Sequence, residues 1–313
     1  MKRNLLLILR ALTGVSIMIA LFWYYDFGQT VRLVLTLSGG SLLVAIGWFV
    51  LNTAISIGKW QLSLPIHVRF AMIARSYVTS YFYSLLPTGQ AGAELGKIAM
   101  LSSRASLSSL ATSVAFDKLT SVLALCLVGT FAWFFAPVEL WMGLLVATGV
   151  LGCALAIVFA PTLRNLVQRW PLRLWLPVKF RIAVEDFLCA LSSLTRRRDV
   201  VAKSLFLGLV SQLCLVGTYQ ALASALGVNL PIADLALFVV VANIATLLPI
   251  SVGGIGIREA SLVGLLTSAH ISGDKALALS LSVFAVFLLG AAAGGAIELH
   301  QVLRAIRHRP QDA

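Results

Sequence analysis

Charged side chains are scarce in this chain. Of its 313 residues, 24 are Lys or Arg and 12 are Asp or Glu, 12% in all. A soluble domain carries about 25%. That shortage, set beside 59% hydrophobic residues, excludes a water-soluble fold of this length. Cysteine is sparse too: Cys126, Cys153, Cys189 and Cys214 include no C-x-x-C spacing, and three lie inside apolar runs. They read as packing residues, not as disulfide or metal ligands. His67, His270, His300 and His308 are scattered, with no H-E-x-x-H pattern. There is no G-x-S-x-G and no Walker-type G-x-x-x-x-G-K-[ST]; Gly92-x-x-x-Gly96-Lys97 is too short a spacing and follows no strand. Hydrolysis, acyl transfer, metal chemistry and ATP-driven pumping therefore find no support. We expect no cofactor, no metal and no enzymatic activity. Acidic residues are the scarcer sign, leaving a net charge of +12. No aromatic-interleaved basic patch of nucleic-acid type accompanies that charge. It reads as basic loops on the cytoplasmic side of a membrane.

What the chain does have is long apolar runs and a mean hydropathy of +0.95, the mark of an integral membrane protein with several spans. The first run, residues 5–24, follows Met1-Lys2-Arg3, lacks a small-residue cleavage site and closes on Phe22-Trp23-Tyr24-Tyr25, an aromatic belt. It reads as a retained span. Further spans are expected over residues 41–62, 106–135, 138–160, 202–226 and 276–303, with a short amphipathic connection over 27–38 and a turn over 227–231. Residues 161–200 are the one sizeable polar segment. They hold eight cations, from Arg164 to Arg198, against Glu185, Asp186 and Asp199. We read them as a basic cytoplasmic connector of interfacial helix, with 178–194 at helical spacing. The expected organisation is one membrane domain over 1–313, with a first half 1–160, the connector 161–200 and a second half 201–313.

Two stretches break the apolar pattern in the same way. One is Leu85-Leu86-Pro87-Thr88-Gly89-Gln90-Ala91-Gly92-Ala93-Glu94-Leu95-Gly96-Lys97; the other is Leu247-Leu248-Pro249-Ile250-Ser251-Val252-Gly253-Gly254-Ile255-Gly256-Ile257-Arg258-Glu259. Pro87 and Pro249 lie 162 residues apart, and that offset also matches Gly92 with Gly254. Hydrophobic segments interrupted by Gly and Pro at corresponding places in two halves point to a transporter-type binding site. The restarted helices are expected at 93–101 and 255–267. The first, about 9 residues or about 14 Å, is too short to cross a bilayer alone. The fold expected is all-α and polytopic, with about six full spans and two re-entrant broken-helix hairpins.

Cation placement orients it. Eighteen Lys and Arg, among them Lys59, Arg69, Arg75, Arg104 and the 161–203 set, fall on one side, and only Arg32 and Lys275 on the other. By the positive-inside rule both termini are cytoplasmic, and the two hairpins enter from opposite faces as an inverted repeat.

Arg10, Lys97, Lys118 and Arg258 lie within apolar segments. A charge at the bilayer centre costs at least ~2.5–3.5 kcal/mol, so each needs a partner or a purpose. The candidate site set is Glu94, Lys97, Asp117, Lys118, Arg258 and Glu259, with Gly92, Gly253 and Gly254 just before the expected helix starts. Backbone N–H groups and the positive dipole end suit an anion there. Arg258 offers a planar fork for phosphate oxygens and Lys97 a point charge. Glu94 and Glu259 hold the cations when the site is empty, or accept a proton. The bland alternative is mutual pairing that locks the two halves together. Asp117 and Lys118, adjacent on a helix, reach different neighbours. Asn52 and Asn243 read as polar helix glue, and Gly290-x-x-x-Gly294 as a packing face. Tyr77, Tyr81 and Tyr83 read as packing or interfacial rings, and Glu298 with His300 as interfacial.

At these residues the chain resembles the transmembrane, flippase-like region of lysylphosphatidylglycerol synthases and its stand-alone bacterial and archaeal relatives. Pro249-x-x-x-Gly253-Gly254-Ile255-Gly256-Ile257-Arg258-Glu259 looks like that family's most specific signature. Gly92-Ala93-Glu94-x-x-Lys97 and Phe116-Asp117-Lys118-Leu119 resemble two more segments, with Lys97 and Lys118 where Arg is usual. The charge is kept there but the fork is lost. The resemblance covers nearly the whole chain. It implies a lipid-translocating or lipid-binding domain in the bacterial cytoplasmic (inner) membrane, handling phospholipids, hopanoids or polyprenyl-linked lipids. Only five residues follow His308, so the lysine-transferring domain of full synthases is not expected. The leading expectation is lipid transport, with an anionic headgroup between the broken helices. The alternative is a non-transporting subunit that presents lipid to a partner lipid-synthesis enzyme through the basic connector. An intramembrane enzyme using Glu94, Asp117 or Glu259 is the third and weakest reading, since no nucleophile–base pair accompanies them.

Overall fold

A computed structural model describes the chain except residues 1, 65, 67, 87, 137–138, 170–177, 249 and 308–313; side chains are also left undescribed at 2–11, 160–161, 163–169, 178–186 and 305–307. His67, Pro87, Pro249, His308 and most cations of the basic connector thus lie outside the described residues.

The described residues form helices and no strand. In chain order these are α1 (Lys2–Tyr24), α2 (Phe27–Leu35), α3 (Gly39–Ser63), α4 (Phe70–Ser84), α5 (Gly89–Leu101), α6 (Leu107–Phe135), α7 (Leu140–Arg169), α8 (Val178–Arg196), α9 (Arg198–Ala225), α10 (Ile232–Ala245), α11 (Ile257–Ser268) and α12 (Gly273–Arg307), with a short 3₁₀ turn at Val252–Gly254. Local chemistry starts and stops them. Asp26, Ser38 and Ser106 cap α2, α3 and α6, their side-chain oxygens accepting from the N–H of Gln29, Ser41 and Ser109. α9 ends where Gly227 turns to φ 63° and the Val228 N–H reaches back 2.9 Å to the Ala223 carbonyl.

Five helices, α3, α6, α7, α9 and α12, contain stretches long and apolar enough to cross a membrane, and they coincide with five of the six expected spans. Over the sixth, α1 is helical for 23 residues, of which Leu12–Tyr24 form a described apolar stretch. The chain is an all-α, multi-pass membrane protein. The four helices flanking the two breaks are short, with 15, 13, 14 and 12 residues in α4, α5, α10 and α11. At 1.5 Å per residue each spans about 18–23 Å, less than the roughly 30 Å hydrocarbon core. The connection over 27–38 is itself mostly helix, α2, which packs on α12.

Contacts divide the chain into two compact units, each drawn from discontinuous segments. The first comprises Met1–Leu37, Arg69–Ala99 and Ala245–Ala313; the second comprises Ser38–Val68 and Met100–Ile244. In the first unit α12 packs against α4, α11 and α2, and α1 lies against α11 and the 3₁₀ turn. The approach of α12 to α4 is close: a Cβ on Gly294 would stand 2.4 Å from the Val78 carbonyl oxygen. This is the small-residue packing that membrane helices use to gain van der Waals contact. In the second unit α3 packs on α9, and α6 on α7, α8 and α9. Residues 235–242 of α10 are buried on every side, so the middle of this helix sits inside protein. Asn52 joins α3 to α9, its Oδ1 accepting from Ser211 Oγ at 2.7 Å and from Ser56 Oγ at 3.3 Å. Asn243 instead donates to the Val239 carbonyl of its own helix at 2.7 Å.

Candidate functional site

The two chain breaks meet inside the first unit. The tip between α4 and α5 closes through tight turns: Leu86 N–H donates to the Tyr83 carbonyl at 3.2 Å and Gly89 N–H to the Leu86 carbonyl at 2.7 Å. Gly89 then starts α5 at φ 58°. The other tip turns at Gly253, φ 62°, with Gly254 and Gly256 also at positive φ. A Cβ on Gly89 would lie 2.5 Å from the Gly253 nitrogen, and one on Gly253 would lie 2.8 Å from the carbonyl oxygen of Ser84. Only glycine offers both the left-handed backbone and the clearance at these two positions.

This geometry corrects the expected helix starts. Gly92 does not precede a helix; it lies in the first turn of α5, where its N–H donates to the Thr88 carbonyl at 3.4 Å. A Cβ there would strike Thr88 Oγ1 at 2.2 Å. Gly92 therefore serves close packing, and Gly89 is the residue that turns the chain. Four residues on, Gly96 makes room for the Tyr83 ring, which a Cβ would meet at 2.5 Å. The second restart falls at Ile257, two residues after the expected position, because Gly254 and Gly256 both hold backbone that a helix cannot adopt.

Each tip carries a cation and a carboxylate from the following helix. Lys97 Nζ donates to Glu94 Oε2 at 3.1 Å, one turn apart on α5. Arg258 donates through Nε at 3.1 Å and Nη2 at 2.6 Å to a single oxygen, Glu259 Oε1. The other oxygen of Glu259 accepts the N–H of Gly256 at 2.6 Å, closing the first turn of α11. Glu259 is 1% exposed, so its charge is sustained by these three hydrogen bonds. Each pair is local to one helix, α5 or α11, and neither is the pairing between the two halves that the alternative reading expected.

Four aromatic rings run between the two pairs. Lys97 Nζ lies 4.4 Å from the centroid of the Tyr77 ring, and the Arg258 guanidinium lies 5.6 Å from that of Phe284. Tyr77 meets Tyr81 at 5.9 Å, Tyr81 meets Phe287 at 5.7 Å, and Phe287 stacks on Phe284 at 6.5 Å. Cations over ring faces gain electrostatic stabilisation, most where water is excluded. Sequence reasoning placed Tyr77 and Tyr81 among packing residues and passed over Phe284 and Phe287. A spacing of four on α4 and three on α12 could have signalled one face on each helix, but not that the two faces meet.

Asp117 has a different partner. On α6 in the second unit, its Oδ1 lies 3.1 Å from Lys59 Nζ of α3, and both side chains are buried. Lys59 also donates to the Asp117 carbonyl at 2.8 Å, to Thr120 Oγ1 at 3.3 Å and to Ser121 Oγ. Lys59 lies near the end of its span, as expected, and is a buried charge, 3% exposed. The polar lining of α6 on that face draws it inward. Lys118, next along α6, is half-buried. Among the described residues no group of three His, Cys, Asp or Glu side chains is placed to hold a metal ion.

A multi-pass helical membrane protein with two glycine-turned helix breaks in contact, each followed by a paired cation and carboxylate, is the class that fold and site define. The chain belongs to the family described as the lysylphosphatidylglycerol synthase transmembrane region, whose model matches residues 7–295. No curated protein matches the chain.

Proposed function

We propose that this protein moves an amphiphilic lipid across the bacterial cytoplasmic membrane by binding its anionic headgroup at the joined tips. The observation that carries the reading is the contact between Gly89 and Gly253, which brings two helix breaks together, with Arg258 in the first turn of α11 and Lys97 about two turns along α5. Arg258 would take phosphate oxygens with its fork and Lys97 would add a point charge. Glu94 and Glu259 hold the two cations until a headgroup competes for them. The tetrad is neutral in sum, so an incoming phosphate exchanges partners instead of being attracted by a net charge. The acyl or polyprenyl tails stay in the bilayer. Both termini are cytoplasmic on this reading, from the side on which the cations gather. Membership in a family of lipid-enzyme membrane regions supports a role in lipid metabolism or transport, and the specific cargo class, an anionic lipid headgroup, rests on the cations.

Reconstitution tests it. Vesicles holding wild-type protein should exchange a fluorescent anionic phospholipid between leaflets faster than empty vesicles. Arg258→Lys, which keeps the charge and removes the fork, should slow the exchange about tenfold. Equal exchange by wild type, Arg258→Lys and Arg258→Ala would end the proposal.

A further inference from the structure

We propose that a cavity between α4 and the last turns of α12 is a second lipid site, one that holds the phosphate of an anionic phospholipid without carrying it across. The cavity has a volume of about 300 Å³ and is lined by Arg75 of α4 with Ala296, Ile297, His300 and Gln301 of α12. All of these belong to the first unit, and none is part of either tip.

The polar groups around the cavity supply donors. Arg75 contributes a guanidinium that makes no ion pair with a carboxylate among the described residues. Gln301 contributes Nε2, which is buried and has no hydrogen-bond partner among the described residues. A buried donor left without an acceptor is costly, and turning the Gln301 amide toward the cavity would let a phosphate oxygen satisfy it. His300 can add a ring N–H. The nearest acidic side chain on α12, Glu298, is already engaged, accepting from the Tyr83 hydroxyl at 2.9 Å. That hydrogen bond comes from a neutral hydroxyl and does not neutralise the carboxylate, so the donors of Arg75, Gln301 and His300 act against one acidic neighbour.

The rest of the surface selects a lipid over a free phosphate ion. Ala296 and Ile297 form an apolar wall, and the same turns of α12 expose Leu299, Val302 and Leu303. Donors at one end of an apolar strip match a headgroup with its chains alongside. Arg69 and Arg304 are both exposed and reinforce the positive field at the ends of α4 and α12. Arg75 reaches the headgroup level by the length of its own side chain.

Photo-crosslinking with a diazirine-bearing phosphatidylglycerol, on the full chain in vesicles, followed by peptide mass spectrometry, tests this site separately from the tips. Wild type should be labelled within residues 296–303, and Arg75→Gln and Arg75→Glu should lower that labelling at least tenfold. Gln301→Ala should lower it severalfold. Arg258→Lys should leave it unchanged, so failure here and failure of translocation are separable. Arg75→Gln with an unchanged melting temperature shows that the loss is of binding. Equal labelling by a phosphatidylcholine probe would mean apolar contact only, and competition by millimolar inorganic phosphate would mean an ion site; either overturns the proposal, as does labelling indifferent to Arg75.

Discussion

Gly89 and Gly253 stand against each other at the junction of the two helix breaks: a single added carbon on Gly89 would lie 2.5 Å from the backbone nitrogen of Gly253. The contact leaves no room for a side chain on that face of Gly89, and both residues hold positive φ, 58° and 62°.

Gly89→Ala should therefore be costly twice over, from left-handed backbone at about 1–2 kcal/mol and from the collision. We expect a loss of about 2–4 kcal/mol, read as a lower melting temperature in detergent. Gly253→Ala should behave alike, and the double variant should lose less than the two losses together because they disrupt one contact. Gly264→Ala in α11 is the control. Open space surrounds its added carbon, so it should be neutral or gain up to about 1 kcal/mol of helix propensity.

Arg258 and Glu259 should depend on each other. Arg258→Ala strands a carboxylate that is 1% exposed, and leaving a buried charge unpaired costs about 3–5 kcal/mol. Combining it with Glu259→Gln should recover a large part of that loss, since the amide oxygen can still accept from Gly256. Detergent unfolding curves of the two single variants and the double variant measure the coupling. Additive losses would contradict it.

Lys59 and Asp117 form the corresponding pair in the second unit, 3.1 Å apart and buried. Lys59→Ala should destabilise by about 3–5 kcal/mol, whereas Lys59→Met with Asp117→Asn should come close to wild type, because isosteric replacement of a buried pair is often neutral. The check is the yield and melting temperature of the three proteins. A stable double variant that still exchanges lipid would identify this pair as structural.

Tyr83→Phe should remove the hydroxyl that donates to Glu298 at 2.9 Å while keeping the ring against Gly96. Hydrogen bonds to charged groups contribute about 1.5–3 kcal/mol, so a loss of stability within that range, read as a lower melting temperature, is expected. Gly96→Ala should be worse, because the added carbon would sit 2.5 Å from the Tyr83 ring.

Where the chain breaks was legible from local pattern. The Leu-Leu-Pro runs and the glycines after them interrupt apolar periodicity, and backbone that side chains cannot adopt must fall there. The turning glycine of the first break was less legible. Gly92 aligned with Gly254 by number, yet Gly89 is the residue at positive φ, and Gly92 lies in a regular helix. An alignment of two short motifs matches letters, whereas the tip is decided by where the carbonyl of Thr88 finds its donor. Glu94 and Lys97 stand one turn apart on α5, so their pairing could be anticipated from the sequence, whereas Arg258 and Glu259 are adjacent on α11, where side chains diverge, and theirs could not.

The sequence by itself determined the class of protein. Too few charges and too many long apolar runs leave no solution but a bundle of membrane helices, and buried cations in such a bundle must find partners. The tertiary structure decided which partners. Lys59 reaches across 58 positions to Asp117, Gly89 meets Gly253, and Tyr81 of α4 meets Phe287 of α12 to complete the row of rings between Lys97 and Arg258. Helical periodicity states which face a residue occupies, but not which other helix lies opposite. That choice depends on packing between segments far apart in the chain, and it set the row of rings between the charges of the two breaks.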